Sequence, residues 1–121
     1  MTEDDILDFV RNAIGSVWAL ELLLLLHRSP NQARDDADLI ASLRATTRVV
    51  AEGLATLCSK GVVVVDEAGR YRYRPASPTL GEAVDALAAL YARKPMAVTN
   101  AILSSRNDKI RTFADAFRFR T

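Results

Sequence analysis

Between residues 62 and 74 the chain reads as a β-hairpin, and no other span constrains the fold as strongly. Val62-Val63-Val64-Val65 is a run of β-branched side chains, which reads as a strand. Asp66-Glu67-Ala68-Gly69 supplies turn chemistry, and Arg70-Tyr71-Arg72-Tyr73-Arg74 alternates with a period of two. That alternation predicts both tyrosines on one face and three arginines on the other. Pro75 closes the segment.

The remainder reads as helices. From Asp4 to Arg28, apolar residues recur at three- and four-residue steps (Ile6, Phe9, Val10, Ala13, Val17, Leu20 and Leu24), with Gly15 as a point of division. The stretch Val17 to Leu26 is apolar nearly all round apart from Glu21, so it is expected to be buried on more than one side. Asp35 or Asp36 can cap a short helix with Leu39, Ile40 and Leu43 inward. Arg44-Ala45-Thr46 forms a turn. Thr46 or Thr47 then caps a helix to about Ser59, with Val50, Leu54 and Leu57 inward and Lys60-Gly61 as its stop. Ser77-Pro78 reads as a cap with proline at the first helical position, opening a helix to about Arg93. A short apolar helix, Met96 to Leu103, and a final amphipathic segment with Ile110, Phe113 and Phe117 follow.

At 121 residues, half of them apolar, the chain fits one domain with a real core. Its acidic N-terminus is the opposite of a secretory signal, and its longest apolar stretch is too short to span a bilayer. Cytoplasmic localisation without membrane attachment is the expectation. Net charge is only +1, but unevenly placed: residues 1–40 carry eight carboxylates against three arginines, and residues 41–121 thirteen cations against seven carboxylates. That polarity fits nucleic-acid binding by the second part and fits self-association equally well.

The order helix, helix, turn, helix, hairpin, helices resembles the winged helix-turn-helix superfamily, particularly bacterial regulators of the MarR-like and PadR-like type. The residues that carry it are Asp38-Leu39-Ile40 with Leu43, then Val50, Leu54, Leu57, Lys60-Gly61-Val62-Val63 and the hairpin to Arg74. The expected fold is mainly α with a small β-hairpin: a winged helix-turn-helix over residues 1–78 and a C-terminal helical extension over 79–121 of the same domain. The resemblance implies a transcriptional regulator binding double-stranded DNA through a recognition helix, about 46–59, and a wing, 62–74. Arg44, Thr46, Thr47 and Arg48 then stand at the helix start, and Arg70 and Arg72 on the wing. Glu52 departs from the pattern, because a carboxylate on the reading face repels phosphates unless it accepts from a cytosine amine.

The all-round apolar helix and the alanine-rich helix after Pro78 exceed what a three-helix core with one hairpin covers. A homodimer is therefore expected. Its contacts would be Val17, Trp18 and Leu22 in front, and Leu80, Val84, Leu87 and Tyr91 behind. In the other arrangement the C-terminal helices fold back over the front helix within one chain. The alternative function is a winged-helix adaptor without DNA binding, docking a protein through Phe113, Phe117 and Phe119, although that stripe also suits packing on the body.

Catalytic and cofactor motifs are missing from the sequence, so no enzyme activity and no cofactor are expected. His27 is the only histidine and Cys58 the only cysteine, which argues against a metal site. Cys58 reads as a half-buried structural thiol. Asp35, Asp36 and Asp38 read as helix-capping residues, not a calcium loop.

Overall fold

The computed structural model describes residues 1–104. Helix α1 (Glu3–Phe9) opens on a capping box, in which the Thr2 hydroxyl accepts from Asp5 and the Asp5 carboxylate accepts from Thr2. It runs into a π-helical turn, Val10–Ile14, that ends at Gly15 with φ +72°. A left-handed residue is needed there, and glycine takes that conformation without steric cost. Ser16 then caps α2 (Val17–Arg28), which leaves at 106° to the preceding helix. The expected division at Gly15 is a corner.

Helix α2 is the spine of the core. Leu20, Leu22, Leu23 and Leu26 are all inaccessible to solvent. Around it pack α3 (Asp36–Leu43), α4 (Thr47–Ser59), the π-turn and the second hairpin strand. The crossing with α4 is close because α4 has Gly53 where a Cβ would come within 2.5 Å of Leu22 Cδ1, opposite Ala19. A mid-helix glycine costs about 1 kcal/mol against alanine, and the tight crossing is its physical reason.

Strands β1 (Val63–Val65) and β2 (Tyr71–Tyr73) pair antiparallel, with Val63 opposite Tyr73 and Val65 opposite Tyr71. The turn is closed by Asp66, whose carboxylate accepts the N–H groups of Ala68 and Arg70, and by Gly69 at φ +77°. Arg34 adds a one-residue bridge on the other side of β2, exchanging both backbone hydrogen bonds with Tyr71 at 2.9 and 2.7 Å. A single bridging residue has no periodicity and so leaves no pattern in the sequence.

Helix α5 (Pro78–Arg93) starts from the Ser77 cap with Pro78 at its first position, and a further helix, α6 (residues 95–104), follows Lys94. Helix α5 packs on α1 and places Val84, Leu87 and Leu90 in the same core as the α2 leucines. Tyr91 donates to Glu21 at 3.1 Å, and Lys94 pairs with Glu3 at 2.9 Å. These contacts correct the expectation about excess apolar surface. The chain covers its own leucine-rich helix, and Glu21 has an intrachain partner. Of the seven residues assigned to a dimer contact, Leu22, Val84 and Leu87 have no surface left to offer a second copy. Val17, Leu80 and Tyr91 are half-buried, and Trp18 is exposed. The fold is thus mainly helical with one small hairpin, and no single described helix is long and apolar enough to cross a membrane. Phe113, Phe117 and Phe119, with the segment around them, lie outside the described residues.

Candidate nucleic-acid interface

Helices α3 and α4 are joined by a tight turn whose first residue, Arg44, is left-handed at φ +52°. Its N–H bonds back to Ala41, and that of Ala45 to Ile40, which satisfies the last carbonyls of α3. An L-residue with a Cβ is disfavoured in this position by about 1 kcal/mol. The exposed Arg44 side chain is therefore held at the corner between the two helices at some cost to the fold.

The two helix starts differ in charge. Asp35 caps α3, and Asp36 and Asp38 occupy its first turn. The first turn of α4 has no carboxylate; Thr46 caps it, accepting from Val49 at 3.3 Å, and Thr47 and Arg48 are exposed beside it. The positive end of the helix dipole is thus neutralised on α3 and left open on α4. One turn further, Glu52 accepts from Arg48 Nε at 3.0 Å, with both side chains largely in solvent. Ala51 and Ala55 share the exposed side of α4, whereas Val49 and Thr56 turn toward α2 and are half-buried.

On the hairpin the arginines stand opposite the tyrosines, as the alternation predicts. Tyr71 and Tyr73 pack against the core, and the Tyr73 ring meets His27 edge-on with centroids 5.1 Å apart. Burial, and the charge of Asp85 after it, push the Tyr73 hydroxyl above its ordinary pKa. The arginines border a shallow cavity of about 340 Å³. Val64, Val65 and Ala33 line it with Asp66, Arg70, Arg72 and Arg74. Arg70 pairs with Asp66 at 3.3 Å. Among the described residues no carboxylate pairs with Arg44, Arg72 or Arg74.

Arg34 was not singled out in the sequence. Its guanidinium donates to Asp38 at 2.6 Å and to Ser42 at 2.7 Å, tying α3 to the segment that bridges β2. The hydrogen bond from Arg34, ahead of its charge, lowers the Asp38 pKa. The four-residue spacing of Arg34 and Asp38 was the available signal. His27, at the end of α2, contacts Asp85 on α5 at 2.8 Å through Nε2. Cys58 is half-buried, and burial pushes its thiol pKa up, which disfavours the reactive thiolate.

Compared with known proteins, the chain matches no family model, no curated protein and no solved structure.

Proposed function

We propose that the chain is a cytoplasmic, non-enzymatic, DNA-binding transcriptional regulator of the winged helix-turn-helix type that acts as a dimer. In this reading α3, the Arg44 turn and α4 are the helix-turn-helix unit, and the hairpin is the wing. The observation that carries it is the contrast between the two helix starts: acid at α3, hydroxyls and arginine at α4. An uncompensated helix N-terminus with exposed Thr47 and Arg48 suits a phosphate and a base edge. Arg44, Arg70 and Arg72 supply further phosphate contacts. Ala51 and Ala55 suit thymine methyl groups, and Glu52 suits a cytosine amine.

Among the described residues the candidate interface of one protomer offers few cations outside ion pairs, so useful affinity needs two. Helix α6 presents Met96, Asn100 and Leu103 on one exposed stripe, and this is the surface proposed for the second copy. The test is duplex titration by fluorescence anisotropy, with the mass in solution recorded alongside. A dimer making six to ten phosphate contacts loses about 10³- to 10⁵-fold in affinity between 50 and 200 mM salt. Absence of salt-sensitive binding at low ionic strength overturns the proposal.

One observation favours a second reading, a protein-binding adaptor on the same fold. Glu52 occupies the middle of the exposed side of α4 and already takes up Arg48. Under that reading duplexes do not bind, and a protein partner is lost on removal of residues 107–121.

A further inference from the structure

The inner edge of α4 borders a groove that shares only Glu52 with the proposed DNA-reading face. Ile14, Gly15, Ser16 and Trp18, from the corner before α2, form one wall of this cavity of about 370 Å³. Val49, Glu52, Gly53 and Thr56 of α4 form the other. The volume lies at the small end of those that hold organic ligands. We infer that this groove is a binding site for a small, flat organic cation, stacked on Trp18 and paired with Glu52.

The lining carries both halves of such a recognition. Trp18 is 42% exposed in a chain that buries most of its large apolar side chains. An indole face is the best aromatic surface for a cation. Gly15 contributes no side chain, which leaves room beside the ring for a flat body, whereas the Cβ position of Gly53 is filled by Leu22. The hydroxyls are already engaged locally: Ser16 accepts from Ala19 at 3.1 Å, and Thr56 donates to the Glu52 carbonyl at 3.1 Å. That leaves Glu52 as the single charged group of the lining, and its sign is negative. A carboxylate accepts at both oxygens, and Arg48 occupies only Oε1.

The pair with Arg48 is an exposed contact four residues along a helix, a type that contributes little in water. A ligand cation that also gains the Trp18 face therefore competes for the carboxylate on favourable terms. The inference needs no DNA, so its test stands apart from that of the proposed function.

Trp18 is the only tryptophan, so the emission of the intact protein reports this groove directly. The probes are benzamidine, its neutral analogue benzamide and its anionic analogue benzoate. Benzamidine is expected to change Trp18 emission saturably in the millimolar range, about fivefold more tightly than either analogue. Glu52→Gln should remove most of the preference for benzamidine, leaving only the part that the Trp18 face supplies. Arg48→Ala, which removes the competitor, should tighten benzamidine about twofold. Both substitutions are at exposed positions, and helical content by circular dichroism checks that the fold is kept. The inference is overturned if benzamidine gives no saturable change, if the three probes behave alike, or if Glu52→Gln leaves the preference intact.

Discussion

Val63 and Val64 are neighbours with the same side chain, yet Val63 keeps 2% of its surface in solvent and Val64 keeps 38%. The pleat sends them to opposite faces, and the partners across the ladder follow: Tyr73 beside Val63, Arg72 beside Val64. One face of the hairpin joins the core through Tyr73, His27 and the leucines of α2. The other carries Arg70, Arg72 and Arg74 around a shallow cavity and buries little. Stability and the proposed recognition thus fall on alternate residues of one short segment, and each can be damaged separately.

The largest effect is expected on the tyrosine face. Tyr73→Ala removes a half-buried ring from between β2, α2 and α5 and should cost about 2–3 kcal/mol. Urea unfolding followed by circular dichroism measures this, with Val64→Ala as the control expected to stay within about 0.5 kcal/mol of the parent. If the two variants unfold alike, the hairpin does not have two different faces.

The next effect belongs to the arginine face and appears in binding instead of stability. Arg72→Ala should weaken duplex binding about tenfold and reduce the salt slope by about one, with the urea midpoint unchanged. A stable variant that binds DNA as well as the parent would reduce the arginines to a solvated surface.

Arg44 sharpens the same division at the other end of the interface. It occupies a left-handed position that glycine takes without strain, so Arg44→Gly should raise stability by about 1 kcal/mol. The same change removes a cation and should lower duplex affinity several-fold. Opposite signs in the two measurements would mean that the arginine is kept at the expense of the fold.

Much of this division was readable in the sequence, because alternation and capping are local. Residues 70–74 show their two faces without any tertiary information, and the helix starts at Asp35, Thr46 and Ser77 follow from residue type and position, whereas the caps at Thr2 and Ser16 were not read. What could not be read was which surfaces one chain covers for itself. The leucines of α2 carry the same pattern whether α4 and α5 or a second copy lies against them, so Leu22, Val84 and Leu87 were assigned to a dimer contact. The groove beside Trp18 was hidden for a related reason. It exists because Gly53 brings α4 close to α2 while Gly15 turns the chain away, and neither residue shows its neighbours in the sequence.

The smallest effects are expected at the two ends of the pH scale, and they again separate the parts of the hairpin. Hydrogen bonds from the Arg70 backbone, with smaller contributions from the Arg70 charge and the Ala68 N–H, hold the Asp66 carboxyl below its ordinary value of 3.8. A depressed carboxyl contributes stability that is fully present above the unfolded value and is lost as pH falls through the folded one. The turn therefore weakens in acid, from about pH 4 downward, and Asp66→Asn should flatten that limb of a stability profile. Tyr73 has the opposite sign. Its hydroxyl is held above the ordinary 10.0 by burial first and Asp85 second. The folded chain keeps a proton that the unfolded chain releases, so this contribution is complete below pH 10 and declines above it. Tyr73→Phe should flatten only the alkaline limb, and Asp66→Asn only the acid one. If either substitution changes both limbs, the turn and the packed face unfold as a single unit, and the two-faced hairpin describes its geometry without describing its energetics.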